Sequence, residues 1–279
     1  MCDTRKRQKR LAVINDFTGF GRCSLTVSIP VISQLGVQCC PVPTSIFSNH
    51  TAFPSFYFED YTEKMPAYIA EWKKLNLTFD GIQIGFLGSH RQISVVQDFI
   101  RSFRSDRTLV LVDPVMGDNG TPYALYDEHM QAAMRQLAAE ADILTPNLTE
   151  ACILTSTPYR SEGWTEEELF TLAGRLTAMG AQKVVISGIP MGQELGNVLA
   201  EKGQTPQIIR SRRVGTERCG TGDIFSSILA ADAVNGVSLG MSVRKAADFI
   251  SECILITESF DTPLTDGVCF EEILHKLRR

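Results

Sequence analysis

Residues 109–113 read LVLVD, an apolar run followed at once by a carboxylate. An apolar run of this length without polar alternation is typical of a strand buried on both faces of a sheet. Similar short runs occur at residues 11–15, 81–87, 143–145 and 183–187. Because such strands need helices on both sides, the pattern predicts a parallel sheet inside an α/β fold.

Segments with helical spacing separate these strands. They cover residues 24–35, 66–75, 92–103, 128–139, 169–179, 222–235 and 241–258. Weaker strand patterns occur at residues 197–200 and 207–210, and residues 270–277 have the pattern of a short final helix. Residues 37–43 contain two prolines, which predicts a strand at a sheet edge. The aromatic-rich segment 44–61 is interpreted as a flap that leaves the sheet.

Size and composition favour one globular domain. The chain has 279 residues, of which 44% are apolar and 21% charged, and no linker-like run divides it. This composition excludes disordered and low-complexity classes. The prediction is a single domain over residues 11–279, preceded by a basic tail over residues 1–10. No run approaches the ~20 apolar residues that a membrane span needs, and no signal peptide is visible.

Charge and cysteine usage narrow the partners and the compartment. The net charge is −5, although five of the first ten residues are Lys or Arg, so the body of the chain is acidic. An acidic body argues against a nucleic-acid platform and leaves small molecules as the expected partners. The eight cysteines are scattered without CxxC spacing. They are interpreted as reduced thiols of a cytoplasmic protein.

The sharpest local motif is CGTGD, residues 219–223, which leads directly into an apolar helical segment. A glycine-rich turn at a helix start offers free backbone N–H groups and the positive end of the helix dipole to an anion. Asp223 within such a turn could act as a general base on a hydroxyl beside a transferring phosphoryl group. It could equally be a first-turn carboxylate that complements the dipole. No Walker A sequence is present.

Two further strand ends carry oxygen ligands. Asp113 begins DPVMGD after one strand, and Asn147 and Glu150 lie in TPNLTE after the next. Mg²⁺ prefers such oxygens and keeps several waters, so Asp113 and Glu150 are the candidate metal ligands. The alternative for Asp113 is a turn cap before proline. For Asn147 and Glu150 it is a capping box, whose spacing they match.

Four motifs together resemble the pyridoxal kinase family of the ribokinase-like superfamily. They are FSNHT (residues 47–51), DPVMGD (113–118), TPNLTE (145–150) and GTGD (220–223). The resemblance extends from Leu11 to about Glu258. It implies a three-layer sandwich with a mostly parallel central sheet between helices. It also implies transfer of phosphate from MgATP to the 5′-hydroxymethyl group of pyridoxal, pyridoxine or pyridoxamine, a homodimer, and a monovalent cation such as K⁺.

The resemblance also implies roles for single residues. Asp223 matches the catalytic base, and the anion hole matches Gly220, Thr221 and Gly222. Positions that hold the metal and its waters beside the nucleotide match Asp113, Asn147 and Glu150. Ser187 matches a nucleotide contact, and Thr51 matches a residue near the pyridine ring. His50 beside it is interpreted either as a substrate contact or as a structural histidine.

The first strand departs from the family pattern. It ends Asn15-Asp16, where Gln-Ser is common, so Asp16 becomes the candidate contact for ring substituents. Phe86 stands where many members have Tyr, which keeps stacking and removes one hydrogen bond. These differences concern the choice of vitamin form rather than the phosphoryl transfer.

Three other functions compete with this interpretation. A hydroxymethylpyrimidine or phosphomethylpyrimidine kinase is the nearest alternative, although that relative usually has Cys at the position of Asp223. A ribokinase-like sugar kinase would have different substrate residues on the first strand. A binding protein without catalytic activity would have no need to keep Asp223, Asp113 and Glu150 together.

Overall fold

The computed structural model describes residues 7–278, in which strands and helices alternate as the sequence predicts. The strands are β1 (Arg10–Phe20), β2 (Gln38–Asn49), β3 (Phe58–Asp60), β4 (Gly81–Ile84), β5 (Leu109–Val112), β6 (Gly117–Asp118), β7 (Thr121–Pro122), β8 (Ile143–Leu144), β9 (Lys183–Met191), β10 (Glu194–Glu201) and β11 (Gln207–Arg212). The helices are α1 (Leu25–Gln34), α2 (Met65–Lys74), α3 (His90–Phe103), α4 (Glu128–Ala139), α5 (Leu148–Thr155), α6 (Glu166–Ala178), α7 (Thr221–Asn235) and α8 (Leu239–Thr257).

Nine of these strands form one sheet in the order β11-β10-β9-β8-β5-β4-β1-β2-β3. The strands from β9 to β2 in this order are parallel to one another. β10 is antiparallel to both its neighbours, and β3 is antiparallel to β2. The prediction of a mostly parallel central sheet is therefore confirmed. The continuity of the sheet supports the proposal that residues 11–279 form one domain.

Helices cover both faces of the sheet, and β1 shows how the sequence achieves this. Its side chains alternate between two apolar cores: Ala12 and Ile14 belong to one, Leu11 and Val13 to the other. The first core contains side chains of α2 to α6, and the second contains side chains of α1, α7 and α8. Burial on both faces explains why the strand lacks polar alternation, and it fixes the three-layer sandwich.

The prediction that residues 37–43 lie at a sheet edge is wrong as stated, because β2 lies between β1 and β3. The antiparallel partner β3 pairs only with Ser45–Phe47 of β2. The segment with Pro41 and Pro43 therefore has a strand on one side only, that of β1. A proline needs one unpaired side, and an edge strand is only one way to provide it.

The segment 44–61 does not leave the sheet, so the predicted flap is also corrected. Its first half continues β2 alongside an extended β1, with a register shift between Asn15 and Phe17. Its last residues form β3, and only the turn between the two strands lies outside the sheet. The aromatic side chains pack on one another rather than detach: the rings of Phe47 and Phe58 lie 4.8 Å apart.

The structure shows contacts of the N-terminal segment with the body of the protein and corrects the prediction for the C-terminal segment. Residues 1–6 of the predicted basic tail lie outside the described part, but Arg7 forms an ion pair with Asp80 at 3.1 Å. Lys9 Nζ donates to the carbonyl of Val234 at 2.7 Å. The predicted final helix consists instead of short 3₁₀ turns at Phe270–Glu272 and Leu274–Arg278.

Within the described residues no helix combines the length and apolarity that a membrane crossing requires.

Candidate active site

The candidate site lies where the carboxyl ends of the parallel strands meet the start of α7. In such sheets the residues that follow neighbouring strands converge at one edge, where ligands bind. The predicted site residues at this edge are Asp16 in β1, Phe86 after β4, Asp113 after β5, Asn147 after β8 and Ser187 in β9. An isolated parallel bridge joins Asn147 to Ser187. The fold thus brings together residues that are up to 171 positions apart in the sequence.

The glycine turn before α7 has the geometry of an anion site. Gly220 is the N-cap of α7 with φ +80°, and a Cβ there would lie 1.9 Å from the carbonyl oxygen of Arg22. Only glycine can therefore occupy this position. At Gly222, by contrast, no atom outside the surrounding helical backbone lies within 4 Å of the place a Cβ would take. The N–H groups of the first turn of α7 lack helical partners, so they are available to bind an anion.

Asp223 is held in the first turn of α7 by two hydrogen bonds from opposite sides. Its Oδ2 accepts from the backbone N–H of Ser24 at 2.8 Å. Its Oδ1 accepts from Asn15 Nδ2 at 3.1 Å. Burial raises the pKa of Asp223 to about 6, and the bonds from Ser24 and Asn15 oppose that rise. At neutral pH the group is therefore a carboxylate that can accept a proton.

Asp113 lies beside Asp223 at the end of β5. Burial raises its pKa to about 8, and the nearby charge of Asp223 adds to the rise. A hydrogen bond from Ser226, one turn after Asp223 on α7, acts in the opposite direction. A pair of carboxyl groups this close disfavours two negative charges, so the site either keeps a proton or binds a cation.

Asn147 and Glu150 form the capping box of α5, the structural alternative that their spacing left open. Glu150 Oε2 accepts from the N–H of Asn147 at 2.8 Å, and Asn147 Oδ1 accepts from the N–H of Glu150 at 2.9 Å. Glu150 Oε1 also accepts from the N–H of Met116 at 3.1 Å, which ties α5 to the DPVMGD segment. The capping function is real, and each oxygen keeps a lone pair for a further ligand.

The carboxylates fit a divalent cation that keeps most of its water. Among the described residues, no three Asp, Glu, His or Cys side chains enclose a metal ion by themselves. Burial and the charge of Asp113 raise the pKa of Glu150 well above its usual value. A cation near Asp113 and Glu150 would relieve this repulsion, and Mg²⁺ commonly binds through only one or two carboxylates.

The other end of the site is formed by β1 and the turn after β2. Asp16 is buried, and burial raises its pKa. Its Oδ2 accepts from Thr18 Oγ1 at 2.6 Å, and nearby His50 also acts against the rise. Within residues 7–278, no Lys or Arg side chain forms an ion pair with Asp16. Thr51 is exposed in the turn after β2. Phe86 is half-buried, with its ring 6.4 Å from that of Phe47.

His50 has a structural role in this conformation. Its Nδ1 accepts from the N–H of Ala52 at 3.3 Å, which leaves Nε2 to donate to the carbonyl of Thr265 at 2.6 Å. These bonds tie the turn after β2 to the segment that follows α8. These bonds agree with the structural interpretation of His50, and its contact with substrate stays a prediction.

Cys219 packs under the turn rather than presenting a thiolate. Burial raises the pKa of its thiol to about 11, with Asp223 adding to the rise. Its Sγ donates to the carbonyl of Gly21 at 3.1 Å. Because a reactive cysteine needs a lowered pKa, this thiol is a packing residue in the free protein.

Sequence reasoning missed two partners of Asp223. In the sequence, Asn15 stands out only as a departure from the family pattern, and the N–H of Ser24 carries no side-chain signature. The position of Asn15 at the carboxyl end of a buried strand was the available signal, since polar residues there face the ligand edge.

Fold and site together define a small-molecule kinase with the ribokinase-like architecture. The chain belongs to the phosphomethylpyrimidine kinase family, whose sequence profile matches residues 28–263. The pyridoxine/pyridoxal/pyridoxamine kinase of Bordetella avium is 28% identical over 87% of this chain and 83% of its own.

Two solved structures extend the comparison. A Bacteroides thetaiotaomicron protein, provisionally assigned as a phosphomethylpyrimidine kinase and crystallised with pyridoxal, is 39% identical with a TM-score of 0.93. That match covers 98% of this chain and 96% of the other. The pyridoxal kinase of Lactobacillus plantarum is 27% identical with a TM-score of 0.89, over 98% and 97% of the two chains. The resemblance to pyridoxal kinases that the motifs predict is confirmed.

Proposed function

We propose that this protein is an ATP-dependent kinase that phosphorylates the 5′-hydroxymethyl group of pyridoxal, pyridoxine or pyridoxamine. The observation that carries the proposal is the position of Asp223. Its carboxylate is held at both oxygens at the start of α7, beside an anion turn and at the end of the strands. The relative crystallised with pyridoxal supports the choice of substrate class.

In the proposed reaction, Asp223 accepts the proton of the substrate hydroxyl. The hydroxyl oxygen attacks the γ-phosphorus, and the bond from that phosphorus to the bridging oxygen of ADP breaks, so ADP leaves with the electron pair. N–H groups of Gly220, Thr221 and Gly222 stabilise the charge on the transferring group. Ser187, beside Asn147 at the same edge, is the proposed nucleotide contact.

Asp113 and Glu150 are the residues proposed to hold Mg²⁺, with Asn147 orienting its waters. The ion would neutralise charge on the phosphates of ATP. Burial and the charge of Asp113 raise the pKa of Glu150, while burial and the charge of Asp223 raise the pKa of Asp113. A cation at this edge would offset that repulsion, which supports the proposed role. Metal binding and helix capping are compatible, because the capping bonds use one lone pair of each Glu150 oxygen.

Glu150→Gln separates the two roles of Glu150. Glutamine at this position of a capping box still supports the helix start. Its amide nitrogen cannot accept, so one of the two bonds from the N–H groups of Asn147 and Met116 is lost. We therefore expect a slightly lower melting temperature and a several-fold higher Mg²⁺ concentration for half-maximal rate. Glu168→Gln, the same change in the capping box of α6, is the matched control. An unchanged Mg²⁺ titration would leave Glu150 as a helix cap only.

Asp16 is proposed to choose among the vitamin forms. A buried carboxylate without a basic partner favours a ligand that brings a positive charge or a hydrogen-bond donor. Thr51, His50 and Phe86 complete the proposed ring site. Asp16→Ser is expected to change the kcat/KM ratio of pyridoxamine to pyridoxal by about tenfold, if ~1.4 kcal/mol of differential binding is lost.

The control for this substitution is the KM for ATP, which should stay nearly constant. Asp16 lies in β1, whereas the proposed nucleotide contacts follow β8 and lie in β9. Equal losses with both vitamin forms would show that Asp16 is not a selectivity residue. A large loss of ATP affinity would show that the end of β1 lies at the nucleotide end of the cleft and not at the vitamin end.

A hydroxymethylpyrimidine kinase is the second candidate function, and the family's name favours it. The aspartate at position 223 opposes it, since the sequence resemblance associates cysteine with that activity. Product analysis tests the main proposal: incubation with ATP and pyridoxal should yield ADP and pyridoxal 5′-phosphate in equal amounts. ADP release without a phosphorylated vitamin would contradict it.

Assembly, compartment and monovalent cation are finer proposals. Large apolar side chains on β1, β2 and β3 are exposed, which supports a homodimer through this face: Phe17, Phe20, Ile46 and Phe58. Light scattering at micromolar concentration tests the proposed homodimer.

The seven cysteines that the structure describes are free, in keeping with a cytoplasmic protein. Activation by K⁺ over Na⁺ is proposed from the family resemblance alone.

A further inference from the structure

Asn15 occupies the point at which β1 loses β4 as its neighbour. The last β1–β4 pair is Ile14 with Ile84, and Gly85 N–H still donates to the Ile14 carbonyl at 2.8 Å. Beyond it, the side chain of Asn15 takes over: its Oδ1 accepts from the N–H of Phe86 at 2.9 Å. The same oxygen accepts from the N–H of Asp16 at 3.0 Å.

These two bonds fix the orientation of the Asn15 amide. Both neighbours are backbone donors, so the atom that faces them must be the oxygen, and Nδ2 must point the other way. The side chain is 3% exposed and lies against Gly85, where a Cβ would come within 2.7 Å of it. The amide therefore cannot turn, and its N–H₂ group is directed at Asp223 Oδ1.

We infer that Asn15 is a positioning residue that holds the Asp223 carboxylate in the orientation needed to receive the substrate proton. The inference rests on the proposed kinase function. Asn15 Nδ2 and the Ser24 N–H clamp the two carboxylate oxygens from opposite elements, β1 and the start of α1. Asn15 itself needs no contact with substrate or phosphate for this role.

The same bond favours the ionised form of Asp223. Other titratable groups face this carboxylate from several elements: Asp16 on β1, Asp113 after β5, Cys23 before α1, Cys219 before α7 and Tyr123 after β7. Burial and the charge of Asp16 raise the pKa of Asp223. Neutral Asn15 and the Ser24 N–H are the donors that act against them. Loss of the Asn15 donor should therefore raise the pKa of Asp223.

Asn15→Asp tests this with little change in shape. The new side chain can still accept from Phe86 and Asp16, but an oxygen replaces the donor that faces Asp223. The acid limb of kcat/KM should move up by about one to two pH units relative to the wild type, a shift typical of a like-charge neighbour. With a pKa of about 6 for Asp223 in the wild type, kcat/KM at pH 7 should fall by about twofold for a one-unit shift and about tenfold for a two-unit shift, with the KM for ATP unchanged.

Asn235→Asp is the matched control. It makes the same charge change at the far end of α7, ~18 Å along the helix from Asp223, and should leave the acid limb in place. Asn15→Ser removes the amide without adding charge, so it covers the case in which Asn15→Asp does not fold. Its acid limb should move in the same direction by a smaller amount. A fall in kcat at every pH with an unmoved acid limb would overturn the inference, because it indicates a structural role only.

Carboxyl-carbon NMR of ¹³C-aspartate protein reads the Asp223 titration without turnover, with the resonance assigned by its absence in Asp223→Asn. If the wild type phosphorylates no vitamin B6 form but Asn15→Asp still raises the titration midpoint, the proposed function fails, while the effect of Asn15 on the Asp223 carboxylate stands. If the midpoint does not move in an active kinase, the inference fails and the function stands.

Discussion

Asp223→Asn is expected to lower kcat by roughly 10²–10⁴, the range of general acid–base catalysis. The substitution removes the group that accepts the hydroxyl proton while keeping nearly the same volume. One oxygen remains to accept a bond from Ser24 or Asn15, so the start of α7 should stay in place. ATP binding by calorimetry and the melting temperature should change little. Steady-state kinetics with pyridoxal and ATP provides the measurement.

Asp106→Asn is the control for the loss of one negative charge. Asp106 is exposed in the turn between α3 and β5, at the opposite edge of the sheet from Asp113, so the same change there should leave kcat unaltered. Turnover of Asp223→Asn within a few-fold of the wild type would return Asp223 to the role of a first-turn carboxylate.

Alanine substitution at the two glycines of the anion turn is expected to give opposite results. Gly222→Ala should fold with a stability within about 1 kcal/mol of the wild type, since the helix tolerates alanine and the space is open. Its kcat should nevertheless fall by roughly 10²-fold, because the methyl group would occupy the position proposed for the phosphoryl group. The open space is then functional rather than accidental.

Gly220→Ala should instead lose stability. The left-handed backbone at φ +80° costs a non-glycine residue roughly 1–2 kcal/mol, and the contact with the Arg22 carbonyl adds to this.

Gly174→Ala is the matched control for Gly222→Ala, because that glycine also lies in a helix with no atom near its Cβ position, far along the chain in α6. Gly222→Ala with wild-type kcat would show that phosphate does not approach this turn.

Most of the sheet was predictable because parallel strands buried on both faces leave a simple apolar signature. LVLV at β5 and the interior of β1 illustrate this. The failures lie where pairing depends on distant partners. Nothing in residues 37–61 reveals that β3 pairs with only part of β2, and this partial pairing is what accommodates Pro41 and Pro43.

The candidate site was predictable in parts. Strand-end carboxylates and the glycine turn have local signatures, whereas the bond between Asn15 and Asp223 joins residues 208 positions apart. The pattern of Asn147 and Glu150 fits two hypotheses equally well. A helix capping box and a pair of residues beside a metal ion need the same side chains at the same spacing. Only the folded structure shows that the capping bonds are made.

The central claim is that this site phosphorylates a vitamin B6 form, and a substrate panel tests it most directly. Pyridoxal, pyridoxine, pyridoxamine and hydroxymethylpyrimidine are each supplied with ATP and Mg²⁺ under identical conditions, with wild type and Asp223→Asn in parallel. The account predicts that at least one B6 form has a kcat/KM tenfold or more above that of hydroxymethylpyrimidine, and that this activity depends on Asp223. A kcat/KM highest for hydroxymethylpyrimidine, or B6 turnover that survives in Asp223→Asn, would contradict it.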